Sequence, residues 1–148
     1  MKEGIDCINK SNNQDPSYET LGSAGFDLRS NEEVIILPRE RVIVGTGLYF
    51  QLPEYLEMQV RPRSGLAAKH GITVLNSPGT IDSDYRGEIK VILINHGDRQ
   101  FTINIGDRIA QAVISTVTSA HAIDFNMVDE FLFETERGEG GFGSTGVK

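Results

Sequence analysis

The sequence has few features of secreted, membrane-spanning or disulfide-bonded proteins. Its 148 residues include one cysteine, Cys7, so neither an internal disulfide nor a cysteine cluster for zinc can form. The longest purely aliphatic runs, at residues 34–37 and 91–94, have four residues each, far short of the ~20 that a membrane-spanning helix needs. Residues 1–13 lack the apolar stretch of a signal peptide. We therefore expect a cytoplasmic protein.

Basic charge is also scarce. The chain has 14 Lys and Arg residues against 21 Asp and Glu residues, which gives a net charge of −7. An acidic chain without a run of Lys or Arg is a poor partner for DNA, RNA or an anionic membrane. We expect no nucleic-acid or membrane partner. An anionic ligand must instead be held by a few placed cations, by backbone N–H groups or by a metal ion.

Short strand-like runs are abundant, and turn residues separate them at close intervals. Hydrophobic residues make up 39% of the chain, too many for a disordered one, and the length favours a single domain. The runs are rich in Ile, Val, Thr and Phe. They cover residues 34–37, 42–44, 48–52, 55–61, 72–75, 88–95, 101–105 and 108–117. The pattern predicts an all-β sandwich or barrel, with one short helix over residues 65–70 that Ser64 caps and Gly71 ends.

A candidate anion site lies where this short helix begins. Arg61 and Arg63 flank a proline at the end of a strand, and Ser64 and Gly65 follow. The first N–H groups of a helix have no intrahelical partner and carry partial positive charge, which favours a phosphate. Ser64 adds a hydroxyl, and Gly65 allows a close approach. The alternative is an ordinary cap with two surface arginines.

A second candidate site is the loop at residues 76–87, which we interpret as the elaborate loop of a β-hairpin between two strand-like runs. Asp82 and Asp84 could orient a water molecule, accept its proton or bind Mg²⁺. Tyr85 could offer a flat wall. The alternative is a solvated acidic turn.

Three further segments carry polar groups in unusual settings. Asp27 is a carboxylate between apolar residues, which indicates either pairing with an arginine or a functional role. Gln111 follows a predicted turn at residues 106–107 and is otherwise a strand residue. Residues 137–146, of which five are glycine, are either a disordered tail or a mobile arm. Their Arg, Phe, Ser and Thr side chains suit a ligand with a flat part and a charged part.

Taken together and in this order, the five segments resemble the five motifs of the homotrimeric dUTP pyrophosphatases (dUTPases). The most specific parts are Arg-Ser-Gly-Leu at 63–66, Ile-Asp-Ser-Asp-Tyr-Arg-Gly at 81–87 and Gly-Gly-Phe-Gly-Ser-Thr-Gly at 140–146. The resemblance implies a jelly-roll, β-barrel-like domain over residues 1–136 and a flexible glycine-rich arm over residues 137–148 that closes over an active site.

The resemblance also implies a homotrimer with active sites shared between subunits. The segments around Asp27, Arg63 and Gln111 would come from one chain, residues 76–87 from a second and the arm from a third. The implied reaction is Mg²⁺-dependent hydrolysis of dUTP to dUMP and pyrophosphate by water attack on the α-phosphorus. Such an enzyme limits uracil incorporation into DNA and supplies dUMP for dTMP synthesis.

Individual roles follow from the same resemblance. Asp82 matches the catalytic carboxylate that orients and activates the water. In that family Mg²⁺ is held largely by phosphates and waters, and Asp27 matches a carboxylate near the metal that would act indirectly, through water. Residues that match phosphate contacts are Arg63, Ser64, Gly65, Gln111, Arg137, Ser144 and Thr145. Residues that match the nucleoside pocket and its lid are Asn76, Gly79, Thr80, Ile81, Tyr85, Phe142 and Gly143, with Tyr85 under the deoxyribose and Phe142 stacked on uracil.

Two rival functions differ in product. The dCTP deaminases, including bifunctional ones, share the fold but use a Glu in the nucleotide pocket, whereas Asp82 and the complete arm favour the hydrolase. The other rival is a non-catalytic protein that binds a nucleotide or a protein partner. Ammonia from dCTP, pyrophosphate from dUTP, or neither product discriminates between these functions.

Overall fold

Short antiparallel strands dominate the computed structural model of the chain, which describes residues 4–147. The strands are β1 (Asp6–Asn9), β2 (Phe26–Arg29), β3 (Val34–Ile36), β4 (Arg41–Gly45), β5 (Leu48–Gln51), β6 (Leu56–Arg61), β7 (Ile72–Val74), β8 (Gly79–Ile81), β9 (Lys90–Asn95), β10 (Phe101–Ile103) and β11 (Arg108–Thr116). Helix α1 (Ser64–His70) lies between β6 and β7, and a 3₁₀ turn (Ala120–Ala122) follows β11. The predicted all-β fold is confirmed. The ends of the predicted domain and arm, residues 1–3 and 148, lie outside the described residues.

The strands form small sheets around one core. Their orders are β2-β11-β6-β8, β4-β9-β7, β1-β5 and β10-β3, and every pairing is antiparallel. Leu28, Val44, Met58, Leu93 and Ile109 come from different strands and lie fully buried in the same cluster. Each such side chain contributes about 1.5–3 kcal/mol when it leaves water. The sheets therefore hold one another in place and fix their outward-facing polar residues.

Strand β6 connects the two candidate sites. Its Leu56, Met58 and Val60 are buried, as the period-two pattern predicts, while Glu57 and Gln59 point outward. The segment with Arg63 follows the end of β6, and β8 pairs with residues 58–60 of β6 so that its last residue, Ile81, lies opposite Met58. One rigid strand thus sets the distance between the two segments.

The predicted hairpin is confirmed, with an addition. Strands β7 and β9 pair from Ile72 opposite Asn95 onward, and the loop between them contains β8. Strand β8 leaves this hairpin and joins the other sheet, with Gly79 opposite Val60 on β6. A Cβ at Gly79 would come within 3.2 Å of the Val60 Cβ, so glycine permits this close pairing.

Strands β1 and β2 were not predicted. Most of β1 is exposed, so burial imposes no apolar alternation on it. In β2, Phe26 and Leu28 are buried and alternate with half-buried Asp27 and Arg29, but the period lasts only four residues. Within residues 4–147, no helix has the length and apolar character needed to cross a membrane.

Candidate active site

Asp27, Gln111 and Arg61 lie side by side across three strands. Gln111 on β11 is the register partner of Asp27 on β2 and of Arg61 on β6. Cross-strand partners point to the same face of a sheet, so the three polar side chains share the outward face. Gln111 Nε2 also donates a 2.9 Å hydrogen bond to the carbonyl of Pro62, which ties β11 to the segment leading into α1.

Asp27 is paired with two arginines. Its Oδ1 lies 3.3 Å from Nε of Arg63, and its Oδ2 lies 3.4 Å from Nη1 of Arg108. Arg63 Nη1 also donates to the backbone carbonyl of Arg108 at 3.1 Å. The guanidinium of Arg63 is therefore held from two sides while the residue stays partly exposed. The sequence predicted that Asp27 either pairs with an arginine or serves a function, and the structure shows the pairing.

Arg108 is the residue that sequence reasoning missed. It stands 81 positions from Asp27 in the chain, and no local pattern links two residues so far apart. Its segment was recognised only as a turn leading into a strand, which the structure confirms at residues 104–107, where Gly106 has φ of 89°.

Helix α1 begins at Ser64, one residue earlier than predicted, and this corrects the role expected for Ser64. Arg63 occupies the N-cap position, and none of the described side chains caps the helix. Ser64 and Gly65 are exposed in the first turn, where N–H groups lack intrahelical partners. Gly71 ends the helix in the left-handed conformation, with φ of 67°, as predicted.

The residues expected to contact the nucleoside lie on and around β8. Asn76 is exposed just before this strand, and its Nδ2 would lie 3.4 Å from a Cβ built on Gly79. Gly79 is buried, Thr80 is exposed and Ile81 is half-buried. The segment therefore presents backbone groups and one amide side chain to the outside, which suits recognition of a small polar ring by its edge.

Asp82 follows directly after β8 and is exposed. A turn from Asp82 to Tyr85 closes through a 3.1 Å backbone hydrogen bond. Arg86 Nη1 donates to the carbonyls of Ser83, at 2.7 Å, and Tyr85, at 3.1 Å, and thereby stiffens the turn. The phenol of Tyr85, half exposed, donates to the carbonyl of Glu88 at 3.0 Å. The predicted wall and the predicted carboxylate thus stand on one braced loop.

An open cleft of about 630 Å³ lies beside Asp82. Its lining includes four carboxylates, from Glu54, Glu57, Asp82 and Asp84, against one guanidinium, from Arg86. A cleft of this size accommodates a small ligand. Because its carboxylates would repel a triphosphate, the cations that hold the phosphates must come from elsewhere.

Within one chain, Asp82 and Arg63 stand at opposite ends of β6. The register pairs Ile81 with Met58, so Asp82 lies level with Glu57. At about 3.3 Å per residue, the extended chain from Glu57 to Arg63 spans roughly 20 Å. That separation is too large for both side chains of one chain to act on the same phosphate group.

The arm folds into successive turns of its own. Arg137 Nε donates to the carbonyl of Gly140 at 2.8 Å, and Ser144 donates its backbone N–H to Gly141 at 2.9 Å. Phe142 is fully exposed, with φ of 48°, and Gly143 has φ of 82°. Ser144 and Thr145 are exposed as well. The described part of the arm presents its cation, ring and hydroxyls to solvent.

Comparison with known proteins decides the family. The dUTPase family model matches residues 11–146. The chain is also 62% identical over 131 residues to the deoxyuridine 5'-triphosphate nucleotidohydrolase of Nautilia profundicola, covering 88% of this chain and 89% of that protein. The chain belongs to the dUTPase family.

Other dUTPases are similar to this chain, in sequence or in structure, over nearly its whole length. The deoxyuridine 5'-triphosphate nucleotidohydrolase of Cytophaga hutchinsonii is 53% identical over 148 residues, covering 99% of this chain and 94% of that protein. The solved structure of the Staphylococcus bacteriophage 80alpha dUTPase with dUPNHPP is similar, with a TM-score of 0.89, at 26% identity and with coverage of 99% of this chain and all of that one. This dUTPase-like fold carries every segment that the sequence analysis singled out.

Proposed function

We propose that this chain hydrolyses dUTP to dUMP and pyrophosphate in a site shared between copies of the chain. The observation that carries the proposal is that β6 separates two groups of residues, a phosphate-binding group (the phosphate half) and a water-activating group (the hydrolytic half). One end of the strand offers cations and backbone N–H groups, and the other end offers an exposed carboxylate on an acidic cleft. Phosphoanhydride hydrolysis needs both halves against one substrate.

The phosphate half consists of Arg63, Ser64, Gly65 and Gln111. Asp27 and the carbonyl of Arg108 hold the guanidinium of Arg63 beside the first turn of α1. A fork of guanidinium donors and free N–H groups binds phosphate oxygens without further rearrangement. Open space beside Gly65, where an added Cβ would meet nothing within 4 Å, lets a phosphate approach the backbone.

The hydrolytic half is Asp82. An exposed carboxylate on a braced turn can accept a hydrogen bond from a water molecule and take its proton as the water attacks the α-phosphorus. The developing negative charge then faces the cations of the phosphate half, which stabilise the leaving pyrophosphate. Asp82 acts as the catalytic residue in this proposal.

The nucleoside pocket is the segment around β8 together with Tyr85. Asn76 and the backbone groups of Gly79, Thr80 and Ile81 would pair the donor and acceptor edge of uracil. Cytosine exchanges a donor for an acceptor, so it would leave buried groups unpaired, and a close-fitting loop leaves no room for the methyl group of thymine. Tyr85 would lie under the deoxyribose, where a 2'-hydroxyl clashes.

The arm completes the site. Arg137, Ser144 and Thr145 would contact the terminal phosphates, and Phe142 would stack on uracil, with Gly143 giving the backbone its turn. Ordering a glycine-rich arm costs conformational entropy, so closure requires the bound nucleotide.

The residues present fit an Mg²⁺ ion that arrives with the triphosphate. Among residues 4–147, no group of three or more His, Cys, Asp or Glu residues could form a cage for a metal ion. Both oxygens of Asp27 already face arginines, so its remaining acceptor positions suit a metal-bound water. When bound, Mg²⁺ neutralises charge on the phosphates.

Exposed apolar side chains support assembly of copies of this chain into the homotrimer that the family resemblance implies. Seven apolar side chains after the 3₁₀ turn are 47–92% exposed, and they are Ile123, Phe125, Met127, Val128, Phe131, Leu132 and Phe133. So many exposed large apolar side chains in one segment are typical of a protein interface. Assembly would also bring Asp82 of one copy to Arg63 of another, which the length of β6 prevents within a chain.

The first test compares pyrophosphate release from dUTP, dCTP, dTTP and UTP in the presence of Mg²⁺. Release from dUTP alone is expected. Asp82→Asn should abolish turnover and keep nucleotide affinity, while Asp84→Asn removes the same charge two residues away and should keep turnover. Parent-rate hydrolysis by Asp82→Asn would overturn the assignment of Asp82, and ammonia from dCTP would support the deaminase instead.

A second test addresses the shared site by complementation. Asp82→Asn and Arg63→Gln chains, each inactive alone, are co-expressed so that mixed assemblies form. If the two residues come from different copies, some sites contain both intact residues and activity returns. No recovery in assemblies proved to be mixed would place the site within one chain, and light scattering gives the number of copies.

We also propose a cytoplasmic location. The single thiol of Cys7, which forms no disulfide within the chain, is compatible with a reducing compartment. Cell fractionation followed by detection of the chain tests this proposal, and recovery from an oxidising compartment would refute it.

A further inference from the structure

The ring of Tyr85 occupies the space beside the backbone of Gly87. A Cβ built on Gly87 would overlap Oη and Cζ of Tyr85 and would lie 2.9 Å from its Cε2. Separations below 3.0 Å are essentially never found for real Cβ atoms. Any side chain at position 87 would therefore displace either the ring or the backbone beneath it.

The backbone after Gly87 is anchored and resists displacement. Ile89 donates its N–H to Leu48 at 2.8 Å, and its carbonyl accepts a 2.7 Å hydrogen bond from the hydroxyl of Thr46. Glu88 accepts the N–H of Gly47 through its carboxylate at 2.9 Å. Because these contacts tie the segment to the core, the ring of Tyr85 would have to move.

Backbone conformation does not require glycine at position 87. Gly47, Gly71 and four other glycines of the described chain have positive φ, but Gly87 is not among them. Alanine therefore suits the backbone angles at this position, and the cost of replacing Gly87 falls on the contact with Tyr85.

We infer that Gly87 is a positioning residue for sugar selection: its lack of a side chain lets the Tyr85 ring settle on the backbone and bond to the Glu88 carbonyl. The inference rests on the proposed function, in which Tyr85 is the wall under the deoxyribose. A ring displaced from this seat no longer blocks the 2'-hydroxyl of a ribonucleotide in the same place.

The experiment measures kcat/KM for dUTP and for UTP with the full-length chain. Gly87→Ala is expected to lower the dUTP/UTP ratio roughly tenfold, the discrimination that a shift in steric fit of about one methylene gives. Gly22→Ala is the matched control, because an added Cβ there meets nothing within 4 Å and φ is not positive. The control should keep the parent ratio.

A double-mutant cycle separates positioning of the ring from a structural role. In a Tyr85→Ala background the obstructed ring is absent, so adding Gly87→Ala should lower the ratio no further. An equal fall in both backgrounds, or an unchanged ratio in Gly87→Ala alone, would overturn the inference. If Gly87→Ala does not fold, the double variant should fold as Tyr85→Ala does, and a misfolded double variant would also overturn it.

Failure of the proposed function would look different. A parent chain that releases no pyrophosphate from dUTP refutes the function. The contact is then tested by a crystal structure of Gly87→Ala, in which a displaced Tyr85 ring without its bond to Glu88 supports the positioning role. An unmoved ring over a shifted backbone would overturn it.

Discussion

The Asp27 carboxylate offers a quantitative test of how the phosphate half is organised. Asp27→Asn removes the negative charge that both Arg63 and Arg108 face, at 3.3 Å and 3.4 Å. The side chain of Asp27 is 18% exposed, and those of its partners are 28% and 45% exposed. Partly exposed ion pairs contribute about 0.5–1 kcal/mol each. The variant should therefore lose about 1–2 kcal/mol of stability, or roughly 3–6 °C in melting temperature.

The effect on activity should be larger than the effect on folding. Without the Asp27 carboxylate, Arg63 keeps only its hydrogen bond to the Arg108 carbonyl, so binding must order more of this long side chain, at a cost of up to about 2 kcal/mol. Since about 1.4 kcal/mol corresponds to a factor of ten, kcat/KM for dUTP should fall roughly 10–30-fold.

The assay is pyrophosphate release at several Mg²⁺ concentrations, beside denaturation by urea. Asp98→Asn is the control, because it removes an equal charge from an exposed turn beyond the other end of α1. If high Mg²⁺ fully restored pyrophosphate release by Asp27→Asn, the role of Asp27 would be to help bind the metal rather than to position Arg63. Parent activity at all Mg²⁺ concentrations would refute both roles.

Four further outcomes are expected. Deleting residues 137–148 should leave a folded assembly with severely reduced turnover, and Phe142→Ala should lower turnover without lowering the melting temperature, because Phe142 is fully exposed; a fully active truncation or an unstable Phe142→Ala would contradict this. Asn95→Ala should cost about 3 kcal/mol in urea denaturation, because buried Asn95 makes three hydrogen bonds to backbone groups; a loss under 1 kcal/mol would contradict it. Burial, and secondarily Asp15, raises the pKa of the Cys7 thiol, so alkylation at pH 8 should be slower than in a model peptide and faster in Asp15→Asn; equal rates would refute the shift.

The sequence supports the prediction of strands whose buried face repeats over more residues than the four of β2. Leu56, Met58 and Val60 show the period of two because the core fixes the face to which they point. No such pressure acts on exposed β1, and so its pairing with β5 leaves no sequence pattern.

The candidate site was predictable as a set of segments and not as an arrangement. Local chemistry marked Asp82, Arg63 and the arm as candidates, because turn residues and a glycine-rich stretch are recognisable within a few positions, and the family resemblance supplied their roles. The pairing of Asp27 with Arg108 arises from the register of β2 and β11, a tertiary property. The helix cap was predicted wrongly since Arg63, not Ser64, takes the position before the first turn.

The exposed segment after the 3₁₀ turn also bears on how new chains avoid aggregation before they assemble. Its apolar side chains are interspersed with acidic residues, and residues 123–136 contain no Lys or Arg. The acidic residues are Asp124, Asp129, Glu130, Glu134 and Glu136. Because identical segments repel each other by charge, two copies of this segment stack poorly on one another. The acidic residues thus act like the charged gatekeeper residues that flank aggregation-prone strands. The same composition thus favours contact with a differently charged surface of another copy and disfavours stacking between two identical segments.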